Sequence, residues 1–215
     1  MNAQLEMTRQ PVANSNALLD LLTIFEADRQ IAIVERTPDP AISAYLDCVA
    51  HLLGRGFRIE LNAGKNLPAH LLPEQAGREM LAEDIAFIAE AYSDLMGCTT
   101  VGLRLEVVRH AMCPRFHVDH TGIRLLCTYR GAGTEWLDDR FADRSRLGTV
   151  SNGLSDEESG IVTQSTGIYK VPPFAIALLK GSAWQGNVGG GIIHRSPPVS
   201  PHTAPRVLLA LDALW

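Results

Sequence analysis

The chain is short of cysteine, lacks any long apolar run and carries no block of like charge, and each shortage removes a class of function. Its four cysteines, Cys48, Cys98, Cys113 and Cys127, include no CxxC pair, so no disulfide framework is expected in a reducing compartment. No window approaches the roughly 20 apolar residues that a membrane helix needs. The opening residues MNAQLEMTRQPV lack the basic-then-apolar order of a secretory signal. A cytoplasmic location with no membrane partner is therefore expected. The formal net charge of -5 is modest, and without a basic block there is no electrostatic grip on nucleic acid. An unspecified small molecule or protein side chain remains as the substrate class. No long heptad or obvious apolar patch points to an oligomeric state.

Two further motifs are missing. Gly189, Gly190 and Gly191 are not followed by Lys-Ser or Lys-Thr and open no helix, so they are not a phosphate loop but a flexible approach to the residues after them. Ser196, before two prolines, has no nucleophile-elbow context, which leaves a hydrolase triad poorly supported. No internal repeat is visible.

What is present reads as α+β. An apolar share of 46% in 215 residues suits one domain, 1–215, around one core. Residues 1–97 read mainly as a helical cover. Leu18, Leu19, Leu21, Leu22 and Phe25 share a helical face after the turn-prone Asn14-Ser15-Asn16, and a second helix fits 41–53 with Gly54 and Gly56 ending it. A third helix follows Pro73 and stops at Gly97. One short β-branched stretch, 31–36, is a strand candidate. Residues 98–215 change to short β-branched runs, with strands expected at 99–108, 115–118, 123–129, 134–137, 168–171, 174–179, 191–194 and 206–212. Eight strands suit a jelly roll, so the expected fold is N-terminal helices packed on a C-terminal double-stranded β-helix of cupin-like form.

The segments CPRFHVDH (113–120) and GIIHRSPP (191–198), followed by Arg206, carry the chemistry. Strand residues two apart share a face, so His117 and Asp119 can bite one metal ion together. His194 supplies a third ligand if its strand lies beside the first, as a jelly roll allows. Two imidazoles and a carboxylate hold a divalent ion on one face and leave the other open, which suits non-heme Fe(II) and oxygen. Arg206 offers a guanidinium fork for the carboxylate of an acidic cosubstrate. Plainer readings stand beside these: a surface hydrogen-bonded pair for His117 and Asp119, and a solvated edge residue for Arg206. His110, His120 and His202 compete as ligands. Cys113, His117, His120 and one further donor would make a closed zinc site, although Pro114 and the missing CxxC pair favour a buried free thiol for Cys113. Trp136 and Trp184 read as core or pocket-wall residues.

At His117, Asp119, His194 and Arg206 the sequence resembles the Fe(II)- and 2-oxoglutarate-dependent dioxygenases, whose pattern is His-x-Asp, a long insert, His, and a basic residue further on. GAGTEWL (131–137) and FAIALLKG (174–181) resemble strands of that superfamily, and the likeness spans residues 99–215. It implies Fe(II), or zinc in its place, held by the triad, with 2-oxoglutarate anchored by Arg206. It implies a secondary contact from Tyr129 or Arg124, and oxidative decarboxylation coupled to hydroxylation of an unknown substrate. The whole chain is also similar to a bacterial family without an assigned activity, encoded near zinc-responsive metallochaperone GTPases. This leaves a non-catalytic zinc-binding or metal-homeostasis protein as the second expectation.

Overall fold

The structure, a computed structural model, describes residues 12–15, 18–148, 153–199 and 205–215. The chain enters β1 (Val12–Ser15), winds through a 3₁₀ stretch (Leu18–Phe25) and continues into β2 (Ile31–Val34), α1 (Pro40–Val49), β3 (Gly56–Asn62) and α2 (Arg78–Met96). Then follow β4 (Thr100–Val108), β5 (Ile123–Arg130), β6 (Glu135–Leu137), β7 (Ile168–Lys170), β8 (Ile176–Lys180), β9 (Ile193–Arg195) and β10 (Arg206–Leu214). Among the described residues they build a seven-stranded sheet, ordered β1-β2-β8-β5-β10-β4-β3, and a three-stranded sheet, β7-β6-β9. All pairings are antiparallel except β1 with β2.

Local chemistry fixes the helix ends. The Asp39 carboxylate accepts the N–H groups of Ala41 and Ile42 at 2.7 and 3.3 Å, and Pro40 occupies the start of α1, where its missing donor costs nothing. Gly97 closes α2 with φ of 65°, the left-handed cap that glycine adopts without strain. Asn14 and Ser15 lie in β1 rather than in a cap, and Asn16 lies outside the described residues. The stretch that follows is 3₁₀, not the expected α-helix.

The large sheet is the middle layer of three. On one face, Ile42, Tyr45 and Leu46 of α1 and Leu81, Ile85 and Ile88 of α2 pack on Leu103, Leu105, Leu125, Leu178, Leu209 and Leu211. On the other face, Ile31, Ile33, Leu126, Ala177, Leu179, Leu208 and Ala210 meet Trp136 and Ile192 from the small-sheet side. This two-sided burial explains why β8 (IALLK) is an unbroken apolar run before its lysine. Phe116, Leu137, Ile161, Val162 and Ile193 form a third cluster on the remaining face of the small sheet.

Helices with antiparallel sheets were expected, but the division at residue 97 does not separate them. β2 lies between β1 and β8, and β3 pairs along β4 from Gly56↔Glu106 to Asn62↔Thr100, so the first half supplies three strands to the large sheet. Of the two strands not expected, β1 and β3, the latter alternates Phe57, Ile59 and Leu61 with Arg58 and Glu60. Among the described residues no helix is long and apolar enough to cross a membrane.

One polar cluster ties the helical layer to the sheet. Arg36, just after β2, donates twice to Asp84 of α2 at 2.7 and 3.0 Å and once to the carbonyl of Phe174 at 3.0 Å. The hydroxyl of Tyr129 donates to the same Asp84 at 2.6 Å. Removing the carboxylate strands a guanidinium and a phenol together. Asp84→Ala is expected to cost roughly 2–4 kcal/mol in urea denaturation, somewhat below a fully buried pair because the Arg36 and Asp84 side chains are each 20% exposed.

Candidate metal centre

His117, Asp119 and His194 converge, their ligand atoms all within 4.8 Å of one another. Nε2 of His117 lies 3.3 Å from one Asp119 oxygen, and Nε2 of His194 lies 3.7 Å from the other. The opposite ring nitrogens face backbone carbonyls, Nδ1 of His117 at 2.9 Å from Arg115 O and Nδ1 of His194 at 3.1 Å from Ile192 O. A carbonyl only accepts, so hydrogen-bond logic puts the proton on each Nδ1 and leaves each Nε2 with a lone pair. Two lone pairs and a carboxylate thus point at one spot, an arrangement that can hold a cation between them.

The local fold that brings them together differs from the expected strand at 115–118. His117 and His194 form an isolated antiparallel bridge, with N–H to O distances of 3.0 and 2.9 Å in the two directions. The bridge is confined to this one pair, and the neighbouring Phe116 N–H, which points away from it, is taken by the Asp156 carboxylate at 2.8 Å. Asp156 is buried, and its other partners are the Arg115 guanidinium and, at 3.0 Å, that of Arg195. One carboxylate therefore clamps the neighbours of both histidines. Sequence reasoning had no signal for it, since it lies in the long irregular stretch between β6 and β7. Gly191 helps from the other side. Its φ is 96°, and a Cβ there would meet Val118 Cγ1 at 2.4 Å, so glycine lets the approach to β9 lie against the ligand segment.

The charges of the three side chains differ by environment. Burial pushes the Asp119 carboxyl upward but is outweighed by the His117 hydrogen bond and the charges of His194 and Arg124, which hold it well below the usual carboxylate range. Without a cation between them, the protonated form of His117 can donate Nε2–H to Asp119, and that hydrogen bond raises His117. Burial lowers His194 to about 4.

Arg206 opens β10 with its side chain on the inner face, because Leu208 and Ala210, two and four residues on, pack in the inter-sheet core. Trp136 belongs to the same core, and its strand partner across β6 and β9 is His194, so Arg206 and His194 face one interior. Arg206 is 3% exposed and burial lowers its guanidinium to about 10. One Nη donates to Thr128 at 3.0 Å and to Thr134 at 2.9 Å, while its buried Nε has no partner. No carboxylate lies within ion-pairing distance among the described residues.

The two secondary contacts are engaged elsewhere. Tyr129 lies on the helix-facing side of β5 with its hydroxyl on Asp84, since alternation sends Thr128, not Tyr129, into the interior. Arg124 bridges Asp119 to Asp212, whose oxygens it meets at 2.7 and 3.0 Å. It therefore holds a metal-ligand candidate rather than a cosubstrate. Neither competing donor joins the cluster: Cys113 is exposed rather than buried, and His120 is exposed with Nδ1 3.1 Å from Ser182 Oγ. His110 is likewise exposed, and His202 lies outside the described residues. Trp136 is buried and stacks on Tyr169, whereas Trp184 packs on Phe25.

Fold and site together define a two-sheet protein with a two-histidine, one-aspartate cluster fit for a divalent metal. The chain belongs to the family described as "Protein of unknown function (DUF1826)", whose model matches residues 15–212. No curated protein matches it. Among solved structures it is similar to the 2-oxoglutarate complex of AtDAO1, a dioxygenase for auxin oxidation from Arabidopsis thaliana, at 12% identity and TM-score 0.48 over 95% of this chain and 92% of that one. It is similar to a putative oxygenase from Shewanella oneidensis at 11% identity and TM-score 0.49 over 94% and 88%. A third likeness is to the dioxygenase for auxin oxidation in rice, at 14% identity and TM-score 0.48 over 95% and 82%.

Two outcomes are expected. Asp156→Ala should loosen both histidine segments and weaken metal affinity roughly 10–100-fold in a competition titration, as loss of a supporting carboxylate does. In the metal-free protein, the unfolded chain takes up a histidine proton near 6.5 while folded His194 does so only near about 4. Its contribution to stability is therefore complete above the first value and is lost as pH falls toward the second. The raised His117 acts in the opposite sense, its contribution fading as pH rises above its ordinary value. Urea midpoints taken with chelator from pH 7 down to 4.5 should fall more steeply for the natural chain than for His194→Gln.

Proposed function

We propose that the protein is a metal-dependent oxygenase of the Fe(II)/2-oxoglutarate type, on a fold read as a double-stranded β-helix covered by helices. One observation carries the reading: the convergent His117, Asp119 and His194 acceptors share an interior with a buried arginine that has no carboxylate of its own. A cation site and an anion site that face one interior, each incomplete, suit a metal chelated by an acidic cosubstrate. No fourth histidine, cysteine or acidic donor joins the cluster among the described residues, which favours an open coordination sphere over a filled zinc site.

The residues divide the work. His117 and His194 each keep a proton on Nδ1 for a backbone carbonyl and offer Nε2 to the metal. Asp119 faces His117 with one oxygen, and Arg124 fixes the other. Thr128 and Thr134 hold the Arg206 fork so that its unpartnered Nε can receive a carboxylate oxygen. Leu126, Leu208 and Ile192 keep the space between the sheets apolar, which strengthens each of these contacts by excluding water. With Fe(II) and 2-oxoglutarate bound, the site would supply oxidative decarboxylation to succinate coupled to oxidation of a substrate.

Anaerobic protein mixed with Fe(II) and 2-oxoglutarate should show a metal-to-ligand absorption band, and succinate should form once oxygen is admitted. His194→Ala should fail to retain metal. Arg206→Met should retain metal but need at least ~30-fold more 2-oxoglutarate, the lower end for truncating one side of a buried charged pair. Absence of both band and succinate from the intact, metal-loaded protein would reject the reading.

A further inference from the structure

We infer that the groove between β3, the end of β4 and residues 109–112 docks an anionic group, carboxylate or phosphate, on a small organic substrate. Its role in turnover rests on the oxygenase reading above. The groove has a volume of about 950 Å³ and is lined by, among others, Arg55, Arg58, Glu106, Arg109, His110 and Met112. That size is at the upper end for a small-molecule site.

The argument is one of unmatched charge. Among the described residues every arginine has a carboxylate within ion-pairing distance except Arg55, Arg109 and Arg206. In a chain of net charge -5 such cations are scarce. One of the three is the buried arginine of the inter-sheet space, and the other two line this groove. The groove's own carboxylate does not cancel them. Glu106 is already held by Arg58 at 3.1 Å and faces Arg104 at 3.7 Å. Two guanidinium groups, both exposed and with the imidazole of His110 on the same wall, are left to meet an anion from solution.

Position links the groove to the metal centre. Val108, on its wall, is the strand partner of Arg206. The wall 109–112 runs directly into Cys113, whose carbonyl accepts Ser196 N–H at 2.8 Å, two residues beyond His194. The chain that lines the groove is thus the chain that carries His117, and it is tied to the strand that carries His194. A substrate held by its charge at Arg55 and Arg109 would lie against the segment that leads to His117.

Calorimetric titration of Mn(II)- and 2-oxoglutarate-loaded protein tests this, because both interior sites are then filled. Phenyl phosphate and phenylacetate serve as the two anionic probes and benzyl alcohol as the neutral one. At least one anion should bind, and the alcohol at least tenfold more weakly. Arg55→Ala with Arg109→Ala should weaken the anion at least tenfold, and Arg55→Lys with Arg109→Lys should restore most of the loss. The stronger of the two anions identifies phosphate or carboxylate as the natural group. No anion binding, equal binding of the alcohol, or an unchanged alanine double variant overturns the inference. If 2-oxoglutarate itself fails to bind while the anion still depends on Arg55 and Arg109 in the metal-free protein, the oxygenase reading falls and the groove stands.

Discussion

The site depends on a single reciprocal backbone bridge. His117 and His194 lie 77 positions apart in the chain, and two hydrogen bonds between their main chains fix where both rings start. A pair this small would fray on its own. Asp156 prevents that by taking the Phe116 N–H together with guanidinium groups from both segments, and Gly191 lets the second segment settle against Val118. Hydrogen bonds to charged groups are about twice as strong as neutral ones, so a buried carboxylate can brace a bridge that no extended ladder supports.

The second organising feature is the distribution of positive charge. Across the inner face of the large sheet, Asp119, Arg124, Asp212, Arg104, Glu106 and Arg58 alternate in sign, each within reach of the next. The chain of pairs leaves no net cation along its length. Arg206 is excluded from it and is held by hydroxyls instead, which keeps its full charge in a space that burial makes costly for it. Among the described residues Arg206 is thus the one buried guanidinium with no carboxylate partner.

Much of this was legible in the sequence because it obeys short periods. α2 repeats its apolar residues at helical spacing up to Gly97, and most of the C-terminal strands are β-branched runs near their expected places, whereas His117 and Asp119 come together without the expected strand at 115–118. Chemical type alone does not announce the side of a strand that a residue takes. Tyr129 looked suitable because it is a phenol near the ligands, yet a period of two puts Thr128 inward and Tyr129 onto the helices. Phe57, Ile59 and Leu61 alternate with Arg58 and Glu60 as a strand requires, but Gly54 and Gly56 read as a helix stop, and Gly56 also opens this strand. Asp156 is different in kind. It acts through three partners brought from afar, and no local pattern announces such a residue.

The interleaving of β1, β2 and β3 with later strands also bears on how such a chain can change. Detached from its first half, the remaining sheet would end on β8 and β4, two apolar strands with raw hydrogen-bonding edges, and raw edges recruit other chains. The N-terminal half is therefore no exchangeable lid. Substitutions in connections such as the 109–112 segment, by contrast, unpair no strand.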